Sequence, residues 1–312
     1  MTRAPRRILL TGASGFVGRH LRAALAAAYP EAAVLTPMMD VRDGAAVAAA
    51  VAEAAPDACV HLAAISAVGA AGRDEDQAWQ VNLHGSLHLA RAILRHAADC
   101  QVLFVSSADA YGPAAGRLAA IDEDTPLAPV NVYAATKAAA DLALGSMVSQ
   151  GLRVVRVRPF NHTGPGQSAD FVIPAFARQV ARIAAGLQPP VLEVGNLDAA
   201  RDFMDVRDVC AAYVACIDRR DVLPPGTILN LCSGEAHRIG DILDDLLKLA
   251  GVAAEIRQDP SRMRAVDARR NFGDAARARA LLGWAPATPW GQTLRDVLED
   301  WRSRAGIAPG EA

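Results

Sequence analysis

Short apolar runs alternate with longer Ala-rich stretches along much of this chain. Arg7–Thr11, Ala33–Leu35, Ala58–Leu62, Val102–Ser106, Arg153–Arg158 and Ile228–Cys232 have strand length and are rich in Val, Ile and Leu. A continuous apolar run, rather than strict alternation, marks a strand covered on both faces. Between these runs lie stretches of helical character: Phe16–Ala28, Gly44–Ala54, Ala78–Ala97, Tyr133–Ser149 and Phe171–Gly186. Strands that alternate with helices predict parallel βαβ units with right-handed crossovers. The expected fold is α/β, a doubly wound parallel sheet.

The pattern changes after about Pro159, where Pro, Gly and Arg-bearing loops become more frequent. A second, smaller lobe is expected from there. The run Ile228–Cys232 reads as a late strand returning to the main sheet, so the lobes interleave. The predicted division gives residues 1–160 plus about 198–234 to the main sheet domain, and about 161–197 plus 235–312 to the smaller lobe.

Composition narrows the possible functions. A chain of 312 residues can bury one large core or two lobes. The formal net charge of -2 gives no reason to expect nucleic acid or an acidic membrane surface as a partner. No apolar run reaches the roughly 18 residues of a membrane span. The basic start, Met1 to Arg7, is followed by an apolar run too short for a secretory core. Five scattered cysteines without a CxxC pair suit reduced thiols in a cytoplasm. The seven His form no ligand-spaced cluster, so no metal is expected.

Three sequence features carry chemistry. The first is Thr11-Gly12-Ala13-Ser14-Gly15-Phe16-Val17-Gly18, set between the first strand and the first helix. Glycines there permit a tight turn and close backbone approach, and the helix N-terminus faces a pyrophosphate. This is the Rossmann-type arrangement for a dinucleotide. The second strand ends Val34-Leu35-Thr36-Pro37, with neither an acid for an NAD ribose nor an Arg for a phosphate. NADH and NADPH both stay open.

The second feature is Tyr133-Ala134-Ala135-Thr136-Lys137. Residues four apart share a helix face, so phenol and ammonium can act as one unit. Lys137 is one of only two lysines, the other being Lys248, in a chain that otherwise uses Arg. A neighbouring cation favours a phenolate and would bring Tyr133 toward the neutral range. YxxxK by itself is a common spacing, equally at home on a solvated amphipathic helix. The third feature is Ser107, at the end of a predicted strand, where doubly wound sheets present ligands.

Taken in order, these features form a series. His61-Leu62-Ala63-Ala64 follows the third strand, Asn82 precedes His84-Gly85, and Ser106-Ser107-Ala108-Asp109-Ala110-Tyr111-Gly112 follows the fourth. Tyr133 and Lys137 come next, then Arg158-Pro159-Phe160-Asn161. In this order the chain resembles the extended short-chain dehydrogenase/reductase family, in its nucleotide-sugar branch. The second half extends the resemblance through Asn161-His162-Thr163-Gly164-Pro165-Gly166-Gln167, Arg201 to Val209, Cys232-Ser233-Gly234, Arg264-x-x-Asp267 and Gly283-Trp284. Within that branch the run from Asn161 to Gln167 is similar to that of reductases acting on GDP-linked 4-keto-6-deoxyhexoses.

The resemblance implies an NAD(P)-dependent oxidoreductase that binds NADPH or NADH, with Tyr133, Lys137 and Ser107 catalytic. It implies that Gly12, Gly15, Phe16, Val17, Gly18, Asp40, Val41, Leu62, Ala63, Ala64, Asn82, Tyr133, Lys137 and Pro159 bind the cofactor. Asp40 and Val41 would lie at the adenine, the alternative for Asp40 being a helix cap. Ser107, Asp109, Asn161, Val172, Arg201, Arg264 and Asp267 would bind a nucleotide sugar, with the two arginines on its diphosphate. His162 reads as a packing residue. A cytoplasmic homodimer paired through the helices at Ala78–Ala97 and Tyr133–Ser149 is implied too. Dehydratases of this family carry Thr and Glu where this chain has Ser107 and Asp109, which weakens a dehydratase reading. A 4-epimerase or 4,6-dehydratase with tightly held NAD, and a non-catalytic cofactor-sensing protein, stand as alternatives.

Overall fold

The computed structural model describes residues 4–116, 120–260 and 270–306. The first half runs β1 (Arg7–Thr11), α1 (Phe16–Ala28), β2 (Ala33–Leu35), α2 (Gly44–Ala54), β3 (Ala58–His61), α3 (Val68–Arg73) and α4 (Glu75–Trp79). It continues through a π-helical turn (Gln80–His84), α5 (Gly85–His96), β4 (Gln101–Val105), a 3-10 segment (Ala108–Gly116), α6 (Val132–Ser146) and β5 (Val154–Pro159). The second half contains β6 (Asn161–Thr163), α7 (Val172–Ala184), β7 (Val191–Val194), β8 (Ala200–Asp205), α8 (Val206–Asp218) and β9 (Ile228–Leu231). After these come β10 (Ala236–Arg238), α9 (Ile239–Ala250), β11 (Glu255–Gln258), β12 (Arg270–Asn271), α10 (Ala276–Leu282) and α11 (Trp290–Arg304).

Six of the described strands form a parallel sheet in the order β2-β1-β3-β4-β5-β9. Side-chain alternation divides each strand between two cores. Ile8, Leu10, Val60 and Leu103 point to the layer built by Leu21 and Leu25 of α1 and Val209 and Tyr213 of α8. Leu9, Cys59, Val102 and Phe104 point to the layer of α2, α5 and α6. Both faces are covered, which is why the strands read as unbroken apolar runs. Ile228–Leu231 joins this sheet at its edge beside β5.

β8 does not join the main sheet; it pairs with β6, β10 and β12. A third apolar cluster lies between α7, α9 and α11, from Phe176, Val180, Leu243, Leu246, Val297 and Leu298. All five cysteines are free and buried. Among the described residues, no helix is long and apolar enough to cross a membrane, and no His/Cys/Asp/Glu group could hold a metal.

One long helix was expected at Ala78–Ala97. The structure keeps it helical but passes it through a π-turn between α4 and α5. Asn82 lies in that turn, and its side-chain amide serves another loop. Its Oδ1 accepts from Ile65 N at 2.8 Å and its Nδ2 donates to Ile65 O at 3.2 Å.

Candidate active site

The sheet reverses direction of growth between β1 and β3, and the crevice outside such a point is where doubly wound sheets take ligands. The glycine turn sits there. Gly12 adopts φ +70°, and a Cβ on it would lie 2.7 Å from Ala63 N. A Cβ on Gly18 would lie 2.3 Å from Gly12 O. Turn, helix and the Leu62–Ala63 segment therefore pack backbone to backbone. Helix α1 begins at Gly15 with no side-chain cap, so its first N–H groups face outward as donors to an anion. The cradle fits a dinucleotide pyrophosphate.

Asp40 and Val41 line the next loop. Val41 packs on α5 at Gly85, where any Cβ would fall 2.6 Å from Val41 Cγ2. Asp43, not Asp40, caps α2, accepting from Ala45 N and Ala46 N. Asp40 instead grips Arg42 through both oxygens, and that hydrogen bonding draws its carboxyl down to about 2.

A buried hydrogen-bond chain joins the glycine turn to the helix bearing Tyr133. Thr11 Oγ1 stands 2.7 Å from His61 Nδ1, and His61 Nε2 is 3.0 Å from Ser86 Oγ. Ser86 Oγ donates to Asn82 O at 2.6 Å. With its proton so used, Ser86 accepts from His61 Nε2–H, which leaves Nδ1 to accept from Thr11. Burial, aided by the Lys137 charge, holds His61 neutral by drawing it down to about 3. Asn82 Nδ2 also donates to Thr136 Oγ1 at 2.9 Å, and Thr136 Oγ1 donates to Tyr133 O at 2.8 Å.

Tyr133, Ser107 and Lys137 come together at the C-terminal end of the sheet. Helix α6 starts at Val132 because the Asn131 side chain accepts from Ala134 N, and this places Tyr133 in its first turn. Tyr133 lies close enough to Ser107 for that hydroxyl to act on its phenol, while Ser107 Oγ accepts from Asp109 N at 3.1 Å. Lys137 is buried, with Nζ 4.7 Å from the centre of the Phe104 ring. Burial draws Lys137 down to about 8, against the opposing charge of Asp141.

The expected lowering of Tyr133 by Lys137 is not what the structure shows. Burial first, then the Asp109 charge, pushes the phenol up to about 12; only the Ser107 hydrogen bond opposes them. The Lys137 ammonium is not among the groups that act on the phenol. The phenol is thus held protonated at neutral pH, the form an acid needs.

The other predicted positions spread over the opening and the small sheet. Phe16 and Val17 begin α1, and Pro159 ends β5. Phe16 stacks on His162 at 6.4 Å between ring centres, and His162 Nδ1 bonds Phe160 O. Ala64 continues from Leu62 and Ala63 beyond β3. Asn161 opens β6 and donates to Asp202 O at 3.2 Å. Val172 opens α7 and is exposed. Arg201 lies on β8 and donates to Ala200 O. Arg264 and Asp267 lie outside the described residues. Arg207 pairs with Asp205 and Asp296, and Asp208 accepts from Ala287 N and Thr288 N, both packing contacts between elements.

Two buried carboxylates escaped sequence reasoning. Asp202 accepts from Ser233 N, Ser233 Oγ and Gly234 N at 2.7–2.9 Å, tying β8 to the turn after β9. Asp141 pairs with Arg156 and Arg158.

Comparison with known proteins fits this geometry. The model of the NAD dependent epimerase/dehydratase family matches residues 8–232. The chain is 42% identical to the GDP-6-deoxy-D-mannose reductase of Pseudomonas aeruginosa, covering 96% of this chain and 98% of that protein. It is 29% identical to the GDP-6-deoxy-D-talose 4-dehydrogenase of Aggregatibacter actinomycetemcomitans, over 89% of this chain and 91% of that one. The solved structure of RMD from Pseudomonas aeruginosa complexed with NADPH superposes with a TM-score of 0.88 at 39% identity, covering 96% of this chain and 99% of that chain.

Proposed function

The chain belongs to the NAD dependent epimerase/dehydratase family, and from that premise we propose that it reduces the C4 ketone of GDP-4-keto-6-deoxy-D-mannose to GDP-D-rhamnose. The carrying observation is 42% identity to a GDP-6-deoxy-D-mannose reductase over 96% of this chain, joined with Tyr133 in the first turn of α6 beside Ser107. Bound reduced nicotinamide, from NADPH or NADH, supplies the hydride. The chain's own residues do the rest. Ser107 holds the ketone oxygen, and Tyr133 gives its proton to the alkoxide that forms there. Lys137 holds the nicotinamide ribose hydroxyls, and Asp40 and Val41 hold the adenine. Asn161, Val172, Arg201, Arg264, Asp267 and Asp109 take the nucleotide sugar, the arginines on its diphosphate.

On this reading the crevice lies between two interleaved lobes: the main sheet domain over residues 1–160 and about 206–234, and a nucleotide-sugar lobe over about 161–205 and 235–312, the expected boundary near 198 moving because β8 pairs with β6, β10 and β12. The enzyme works in the cytoplasm as a homodimer paired through α5 and α6, whose Leu142 is exposed in the single chain. Sedimentation of the purified protein tests the dimer.

The rival is a 4-epimerase or 4,6-dehydratase, which would use the same Tyr133 and Lys137 but recycle its cofactor. The test is to add GDP-4-keto-6-deoxymannose to enzyme and NAD(P)H. The reading expects continuous oxidation of the cofactor over many turnovers. No oxidation with that substrate, but turnover of GDP-mannose or a UDP-hexose, would overturn it.

A further inference from the structure

The cluster beneath Lys137 has no part in the reaction as described above. Asp141 stands one turn along α6 from Lys137, and its carboxylate is completely buried. Its Oδ2 accepts from Arg158 Nε at 2.9 Å, and its Oδ1 accepts from Arg158 Nη2 at 3.1 Å and from Arg156 Nη1 at 2.9 Å. Arg158 is itself buried, and it donates to Tyr111 Oη at 2.9 Å and lies over the Tyr111 ring. Tyr111 Oη donates to Asn230 Oδ1 at 2.7 Å, on β9. Ser106 Oγ has no hydrogen bond of ordinary geometry, yet it lies near enough to favour the Asp141 carboxylate.

One carboxylate thus faces two guanidiniums and, one turn away, an ammonium. Lys137 Nζ faces the Phe104 ring, and Asp141 is the acid that α6 places on the same face one turn on. A buried ammonium in a medium of reduced dielectric needs a nearby anion to stay charged. Asp141 is that anion, and the two arginines compete for it.

We propose that Asp141 is a positioning residue for the reaction: its carboxylate keeps Lys137 an ammonium, and Arg156 and Arg158 set how much of that charge Lys137 feels. Burial draws Lys137 toward its neutral form, and the Asp141 charge opposes it. The arginines also bolt α6 to β5, so the same contacts fix where the ammonium stands. This builds on the assignment of Lys137 as a ribose-holding ammonium, but it can be tested without turnover.

The chain's two lysines make the test direct. Protein grown with lysine labelled at Cε gives two lysine carbon signals, one from buried Lys137 and one from Lys248, which is exposed beside Asp245. Following the buried signal against pH reads the Lys137 titration itself. Asp141→Asn should lower its midpoint by about 1 unit or more. Arg156→Met removes a competing cation and should raise it by about half a unit. Arg156 keeps some exposure, so this variant stays informative if Asp141→Asn fails to fold. The alkaline limb of kcat/KM should move in the same directions, with the KM for cofactor changing more than that for the sugar. A buried signal that keeps its midpoint in the folded variants, or that falls in Arg156→Met, overturns the proposal. A correct titration with no reductase activity on any 4-keto sugar would instead refute the function proposed above and leave Asp141 in its role.

Discussion

Substituting Gly18 by Ala probes the cofactor cradle without touching a charged group. The added methyl would sit 2.3 Å from Gly12 O, 2.7 Å from Ala13 Cα and 2.8 Å from Ala13 C. All three are backbone atoms of the glycine turn, so no side chain can swing aside. To regain an ordinary contact of 3.4 Å, the turn must withdraw by about 1 Å. Overpacking of this kind costs about 1–3 kcal/mol of stability. The turn also aims amides at the pyrophosphate, and a hydrogen bond to a charged group is worth about 1.5–3 kcal/mol. Losing one of them weakens cofactor binding by roughly 10- to 150-fold. Gly15→Ala supplies the contrast, because its methyl would meet only Gly12 O, at 3.2 Å, and a shift of a few tenths of an ångström relieves it. Thermal unfolding with and without NADPH, together with calorimetric titration, reads both quantities. Gly18→Ala should melt earlier and lose most of the cofactor-induced stabilisation. Binding within about threefold of the parent protein would refute the packing argument.

Tyr133→Phe should lower kcat by about 10²–10⁴-fold while leaving the calorimetric affinity for cofactor nearly intact; equal loss of both would remove the phenol from proton transfer. Lys137 loses its proton as pH rises through about 8, so kcat/KM should fall on the alkaline side from that pH, while Tyr133, raised to about 12, stays protonated throughout; a pH profile flat to 10 would contradict this. Asn82→Ala abandons the Ile65 N–H and C=O, at about 1–3 kcal/mol, and should lower both the melting temperature and kcat, since the same amide holds Thr136 under Tyr133. A drop in stability with kcat unchanged would separate the π-turn from the site.

The central sheet was legible because its code is local. Arg7–Thr11, Phe16–Ala28, Ala33–Leu35 and Gly44–Ala54 end where the pattern of apolar residues and Gly places their boundaries. The π-turn was not legible, since Asn82 looks like any polar residue on a helix until Ile65 is known to lie across from it. Strands such as β6, β10 and β12 have three residues or fewer, too short to show a period of two. Asp141 stayed hidden for another reason. Within an Ala-rich helix a lone Asp reads as solvated, and its arginine partners come from β5, fifteen and seventeen positions on. Tyr133, Lys137 and Ser107 were readable as a set, yet the state of the set was not. Burial and Asp109, both products of folding, push the phenol further toward its protonated form rather than toward a phenolate.

The most direct test of the reductase reading follows the hydride itself. Enzyme is supplied with NADPH carrying deuterium at the transferred position and with GDP-4-keto-6-deoxymannose, and the product is examined by NMR and mass spectrometry. One deuterium should appear at C4 of GDP-D-rhamnose for each NADPH oxidised, over many turnovers, with Tyr133→Phe nearly silent. Product without deuterium, or conversion of the sugar with no net oxidation of NADPH, would contradict it.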